Sequence, residues 1–201
     1  SEMVEEIKEQ IHAYCALRFT NDELEYLSKI EWLHEDYIEH LQIWKPRFKD
    51  FTIGTDSPCG LSIEAKGTWL NTSMYEIPIL AIVNEVYFRM SYNYNEIFEQ
   101  YKRKLEEKKN WLISGEYNLG AFSEFGLRRR LSAEAQDLAV KTLCENNKNY
   151  KESKCVGTSN VYLAKKYNVV PVGTMAHEFI MCVGQGNPMY NPAYSNKLAM
   201  K

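Results

Sequence analysis

Cysteine is scarce and unpatterned in this sequence. The 5 cysteines, Cys15, Cys59, Cys144, Cys155 and Cys182, are widely spaced, and no two form a C-x-x-C pair. That argues against a zinc or disulfide framework and for free thiols in a reducing cytoplasm. Histidine is scarcer still, with 4 residues, His12, His34, His40 and His177. Glu178 follows His177, but no second histidine lies at helical spacing, so no resident metal is expected. Long apolar runs are missing too. The most apolar stretch, Ile77–Met90, is interrupted by Pro78, Asn84, Glu85 and Arg89, so no membrane span is expected. The start, Ser1-Glu2-Met3, is acidic and has no signal-peptide h-region, which points to the cytoplasm. Basic excess is absent: 24 Lys and Arg face 27 Asp and Glu, a formal charge of −3. A broad electrostatic surface for nucleic acid is therefore not expected. No Walker loop, G-x-G-x-x-G turn or G-x-S-x-G elbow occurs either.

Aromatic residues, in contrast, are plentiful, with 14 Tyr, 8 Phe and 4 Trp. They predict large buried side chains in an ordered chain. The 201 residues suffice for one sizeable core and are short for two full domains. The first 50 residues have helical spacing: Val4, Ile7 and Ile11, then Leu24, Leu27 and Ile30, then a third helix over about His34–Trp44. Thr20-Asn21-Asp22-Glu23 reads as a capping box opening the second helix. His12, His34 and His40 are expected to be solvated on these helices. Phe51 and Ile53, then Leu61, Ile63 and Ala65, alternate with polar neighbours across the turn residues Asp56–Gly60, predicting a β-hairpin. Thr68-Trp69-Leu70 is expected to extend it. A buried helix over 73–92, with Pro78 in its first turn, precedes a charged helix over Tyr94–Leu112. Beyond Gly115 the pattern becomes strand, helix, strand, helix, strand: Leu119–Phe125, Ser132–Glu145, Lys154–Val156, Ser159–Tyr167, Val169–Val172. This order predicts an α/β fold with a parallel sheet and chemistry at the strand C-termini. The expected division is an α+β unit over 1–115 and the first part of a parallel α/β barrel over 116–201.

Three groups of residues fall at those strand ends. Phe125-Gly126-Leu127-Arg128-Arg129-Arg130 puts three arginines after a strand-ending glycine. Guanidinium groups match two oxygens of a phosphate or carboxylate, although three basic residues can also be a solvated run. Gly157-Thr158-Ser159 and Gly173-Thr174-Met175 are two strand-to-turn units of one form. Their amides and hydroxyls can hold an anion, or Thr158 and Ser159 can simply cap a helix. His177 lies four residues past Gly173. A lone histidine is commonly structural, but beside anion-binding groups it can serve as proton donor, base or nucleophile.

In these same residues the sequence resembles the nicotinate phosphoribosyltransferase family. The blocks are Thr68-Trp69-Leu70; Tyr75-Glu76-Ile77-Pro78-Ile79-Leu80-Ala81-Ile82-Val83-Asn84-Glu85; Phe125-Gly126-Leu127-Arg128-Arg129-Arg130; Gly157-Thr158-Ser159-Asn160-Val161; and Val170-Pro171-Val172-Gly173-Thr174-Met175-Ala176-His177-Glu178-Phe179. They come in the family's order and spacing, most clearly over 60–180. The resemblance implies an N-terminal α/β domain followed by a TIM-related barrel of the type II kind. It implies ATP-assisted transfer of phosphoribosyl from phosphoribosyl pyrophosphate to nicotinate, with Mg2+ accompanying both phosphorylated substrates and no tightly bound cofactor. It makes His177 the phosphorylated histidine, Thr174 a nicotinate contact, and Phe125 with Arg128 the pair against the pyridine and the phosphate. Gly157, Thr158 and Ser159 become a turn lining the same pocket. A serine at 159, where a carboxylate would favour the neutral amide, points to nicotinate over nicotinamide. The resemblance also implies a homodimer. The family's chains are longer: its N-terminal Asp-x-Tyr-Lys type motif, its Asp-Ser-Gly-Asp type motif and its glycine-rich phosphate loop have no counterpart here. A fragment, inactive by itself, is thus also expected.

Overall fold

The computed structural model describes residues 2–55, 60–185 and 195–200. The expected hairpin turn at Asp56–Cys59 lies outside them. Three helices open the chain, α1 (Glu2–Ala16), α2 (Asn21–Ser28) and α3 (Glu35–Ile43). Val4, Ile7 and Ile11 recur once per turn and form the buried stripe of α1. The capping box of α2 is complete: Glu23 N–H donates to Thr20 Oγ1 at 3.3 Å, and Thr20 N–H donates to Glu23 Oε2 at 2.8 Å. His12 and His34 are exposed, as expected, and His40 is the one that departs. His12 rests against the Phe48 ring and His34 accepts the Asp36 amide at the start of α3. His40 is half-buried with its Nε2 shielded from solvent, because its ring lies along that of Tyr37.

The hairpin forms as β1 (Phe51–Gly54) and β2 (Ser62–Ala65), antiparallel, with Ile53 opposite Ile63. Thr68-Trp69-Leu70 does not extend it. These residues enter a one-turn helix, α4 (Trp69–Thr72). Among the described residues no third strand pairs with the hairpin, and the backbone closes on itself: the Asn71 and Thr72 amides both donate to Thr68 O at 3.0 Å. Next come α5 (Glu76–Ser91), with Pro78 in its first turn, and α6 (Tyr94–Ser114). Helix α5 is buried on one side only. Ile79 and Val86 join Ile7, Ile11, Trp44, Phe51 and Tyr75 in the first core, whereas Leu80, Tyr87 and Met90 remain exposed. Tyr75 anchors that core: its buried hydroxyl donates to Asp50 Oδ2 at 2.9 Å, and Arg47 Nε donates to the same oxygen at 3.0 Å. Burial, with the Asp50 carboxylate beside it, raises the Tyr75 phenol above its ordinary value.

Helix α6 stops at Gly115, whose φ of 78° is the left-handed conformation glycine adopts without strain. The chain then alternates: β3 (Gly120–Glu124), α7 (Ala133–Glu145), β4 (Ser153–Thr158), α8 (Val161–Tyr167), β5 (Val170–Pro171), followed by α9 (His177–Gln185) and α10 (Ser195–Ala199). The sheet order is β3-β4-β5 and both pairings are parallel. Helices α7 and α8 pack on β4, burying Ala135, Ala139, Val140, Leu163 and Ala164. Lys165 of α8 pairs with Asp22 at the start of α2 and so ties the sheet layer to the N-terminal helices. Among the described residues Cys15, Cys144, Cys155 and Cys182 are free thiols, and no helix is long and apolar enough to cross a membrane.

Strand β5 comes very close to β4 at Gly157, where a Cβ would lie 1.9 Å from the carbonyl oxygen of Val170. Backbone cannot rotate away as a side-chain tip can. Gly157→Ala should therefore cost about 3 kcal/mol, the upper end for overpacking. Urea unfolding followed by circular dichroism would measure it; an unchanged midpoint would mean β5 moves aside freely.

Candidate functional site

Parallel strands deliver their C-termini to one edge, and there a cleft of about 370 Å³ opens. The segment after β3 contributes Phe125, Leu127 and Arg128, the last two within a 3-10 turn over Leu127–Arg129. Ser159 comes from the end of β4, and Thr174, Met175 and Ala176 from the segment after β5. His177 enters as the first residue of α9. Glu76 and Ile77, in the first turn of α5, complete the lining. Five of the residues expected from the sequence thus share one cavity: Phe125, Arg128, Ser159, Thr174 and His177.

Gly157 and Thr158 do not line it. Both are buried within the sheet, because β4 must stay close to β5 at Gly157 and because the Thr158 hydroxyl is engaged behind the cleft. That hydroxyl donates to Glu124 Oε2 at 2.6 Å and accepts the Asn160 amide at 3.1 Å. Their part is to fix where Ser159 stands.

The three arginines diverge, as consecutive residues in a tight turn must. Arg128 reaches the cleft and donates through Nη1 to Glu76 Oε1 at 2.8 Å. Arg129 is exposed. Arg130 turns the other way, half-buried beside Gln136 and Glu85. Burial lowers its pKa from the ordinary value and Glu85 opposes that shift. Its carbonyl oxygen accepts a hydrogen bond from Asn84 Nδ2 at 2.9 Å, fixing the turn against α5.

Two features suit this edge to a flat anionic ligand. Phe125 stays 51% exposed beside a cation, an arrangement a core residue would avoid. Arg128 and Glu76 are both about half-exposed, at 47% and 45%, so water screens the pair and a ligand anion can replace the carboxylate. Phe179, two residues along from His177, lies nearly parallel to the Trp69 ring with centroids 6.2 Å apart. That contact links α9 to α4. Among the described residues no group of three His, Cys, Asp or Glu side chains converges as a metal site. Glu76 escaped the sequence reading. An acid in the first turn of a helix is ordinarily explained by the helix dipole, and only its distance to Arg128 shows otherwise.

Two family models match the chain in succession. The nicotinate phosphoribosyltransferase N-terminal domain matches residues 1–84, and the nicotinate phosphoribosyltransferase family matches residues 121–201. The chain belongs to the nicotinate phosphoribosyltransferase family. It is similar to the nicotinate phosphoribosyltransferases of Bordetella petrii, 36% identical over 180 residues, and Bordetella pertussis, 38% identical over 180 residues. These alignments cover 88% of this chain and 44% and 43% of the relatives. Among solved structures, nicotinate phosphoribosyltransferase from Porphyromonas gingivalis matches with a TM-score of 0.79 at 30% identity, covering 99% of this chain and 49% of that one. The Vibrio cholerae enzyme matches with a TM-score of 0.81 at 25% identity, covering 100% of this chain and 47% of that one. The chain therefore spans about half the length of the relatives it matches.

If Glu76 is a loose tether, Glu76→Gln should change the unfolding free energy by less than about 1 kcal/mol, as for other exposed pairs. A loss of several kcal/mol in chemical denaturation would instead make the pair a structural strut.

Proposed function

We propose that this chain carries the nicotinate and phosphate contacts of an enzyme that transfers phosphoribosyl from phosphoribosyl pyrophosphate to nicotinate, giving nicotinate mononucleotide and pyrophosphate. The observation that carries this is the meeting of Phe125, Arg128, Ser159, Thr174 and His177 in one cleft. The family membership supports it.

Each group has a task that its chemistry suits. The Phe125 ring offers a face for the pyridine to stack on. The Ser159 and Thr174 hydroxyls can donate to the nicotinate carboxylate, and a neutral serine at 159 repels no anion. Arg128 leaves Glu76 to pair with the phosphate of the phosphoribosyl group. With the ring held, the pyridine nitrogen attacks C1 of the ribose. The bond from C1 to the pyrophosphate oxygen breaks, and pyrophosphate leaves with the magnesium that came with the substrate. Charge builds on the ribose ring in an oxocarbenium-like state, and fixed dipoles at the strand ends stabilise such a state without reorganising. Holding both reactants in one cleft supplies the orientation the displacement needs.

His177 faces solvent at the start of α9, where unpaired helix amides favour a phosphoryl group. There the imidazole in its neutral form attacks the γ-phosphorus of ATP, ADP leaves, and the histidine carries the phosphoryl group until water removes it. The charged and discharged states can then differ in substrate affinity. The working enzyme is a cytoplasmic homodimer in this proposal. Its relatives are about twice as long, so the 201-residue chain alone is expected to bind weakly and not to turn over.

In the full-length enzyme, Arg128→Ala should raise KM for phosphoribosyl pyrophosphate by about 10-fold or more, the worth of one charge-assisted hydrogen bond. Steady-state kinetics with an unchanged KM would remove Arg128 from this role. Incubation with γ-labelled ATP addresses the histidine. A label that is acid-labile and base-stable, and that disappears in His177→Ala, is the expected result. Equal labelling of the variant would rule His177 out as the acceptor.

A further inference from the structure

Glu124 is the last residue of β3 and is not part of the cleft lining. Its side chain nonetheless collects three donors from three separate places. Oε1 accepts the Gly126 amide at 2.6 Å, from the segment that carries Phe125 and Arg128. Oε2 accepts the Thr158 hydroxyl at 2.6 Å, from the end of β4, and the Gln136 side-chain amide at 3.2 Å, from α7. The backbone adds a fourth bond, for Glu124 O accepts the Ser159 amide at 2.9 Å. One residue therefore fastens the Phe125–Arg128 segment to Ser159, the two parts of the cleft that come from neighbouring strands.

The fit is close enough to account for Gly126. A Cβ at that position would stand 2.6 Å from Glu124 Oε1, so any larger residue would push the carboxylate off the amide it holds. The arrangement continues backwards through Gln136, whose carbonyl oxygen accepts from Asn160 Nδ2 at 3.0 Å and from Arg130 Nη1 at 3.4 Å. Asn160 in turn caps α8 by accepting the Leu163 amide at 3.2 Å. Side chains that act from the surface need such backing. Phe125 and Arg128 are half-exposed, and an unheld segment would have to be ordered each time substrate bound, at a cost in affinity and alignment.

We propose that Glu124 is a positioning residue: it presets the Phe125–Arg128 segment against Ser159 so that the pyridine face and the phosphate cation stand in register before substrate arrives. The functional half of this rests on the transfer reaction proposed above. Its structural half, that Glu124 holds the segment, does not.

The test uses the full-length enzyme and two independent readouts. Hydrogen–deuterium exchange reports on the segment with no reference to activity. Glu124→Ala should speed exchange of the Gly126–Arg129 amides at least about 10-fold while α1, α5 and α7 stay protected. Kinetics report on the function. Glu124→Ala should lower kcat/KM for nicotinate and for phosphoribosyl pyrophosphate by about 10- to 100-fold, with the change carried mainly in KM. Glu124→Gln keeps the shape and one acceptor oxygen, but its NH2 must face either the Gly126 amide or the Thr158 and Gln136 donors, so it should recover only part of that loss. In an Arg128→Ala background, Glu124→Ala should add little, because Glu124 acts through the segment bearing Arg128. Should Glu124→Ala fail to fold, Glu124→Gln and Thr158→Val, each weakening the contacts in part, carry the same comparisons. Fully additive losses, an unchanged KM with only a lower kcat, or unchanged exchange at Gly126–Arg129 would each overturn the proposal. Wild-type enzyme that fails to transfer phosphoribosyl to nicotinate would instead remove the reaction, and the exchange result would then decide the holding role alone.

Discussion

Parallel pairing of β3, β4 and β5 is the constraint on which the rest depends. A parallel ladder sends every strand the same way, so each strand must be followed by a crossover before the next can begin. Helices α7 and α8 are those crossovers, and they also cover one face of the sheet. The consequence is that segments well separated in sequence all leave the sheet on one side. Phe125, Ser159 and Thr174 meet for this reason. The backbone contact at Gly157 sets how close the last strand can stand.

The N-terminal elements supply the other wall. Tyr75 is packed among Trp44 and Phe51 and hydrogen-bonded to Asp50, so the residue just ahead of α5 is held by both apolar contact and a buried polar bond. With that point fixed, the first turn of α5 presents Glu76 and Ile77 to the strand ends, and Asn84 two turns on grips the arginine turn from below. The ion pair between Asp22 and Lys165 acts at the far side of the same contact. The cleft is thus a junction between two layers rather than a property of the sheet alone.

Much of this was legible in the sequence because local patterns and tertiary structure agree. The capping box at Thr20–Glu23, the 3.6-residue stripe of α1, the hairpin alternation and the strand–helix rhythm after Gly115 each have one dominant physical reading. Resemblance in five blocks added the roles proposed for Phe125, Arg128 and His177, which no spacing could have supplied. What escaped depends on through-space neighbours. Thr68-Trp69-Leu70 has strand composition but no strand to join. Leu80, Tyr87 and Met90 look like core residues and lie on the uncovered side of α5. Gly157 and Thr158 have the chemistry of an anion-holding turn, yet a neighbouring carbonyl and the Glu124 carboxylate claim them. Glu76 gains its meaning only from Arg128, 52 positions away.

The register of β3 against β4 slips between Phe122 and Ser123: Phe122 faces Cys155, whereas Ser123 faces Gly157, leaving Val156 without a counterpart. Side chains alternate from one face of a strand to the other, so an extra residue resets that alternation for everything after it. Val156 therefore works as a phase shifter. It lets Cys155 upstream and Thr158 downstream, an odd number of positions apart, both be buried. Losing or gaining a single residue in this strand would invert the facing of its final residues even with every side chain retained. Length between Ser153 and Thr158 is thus under tighter restraint than the identity of Val156 itself.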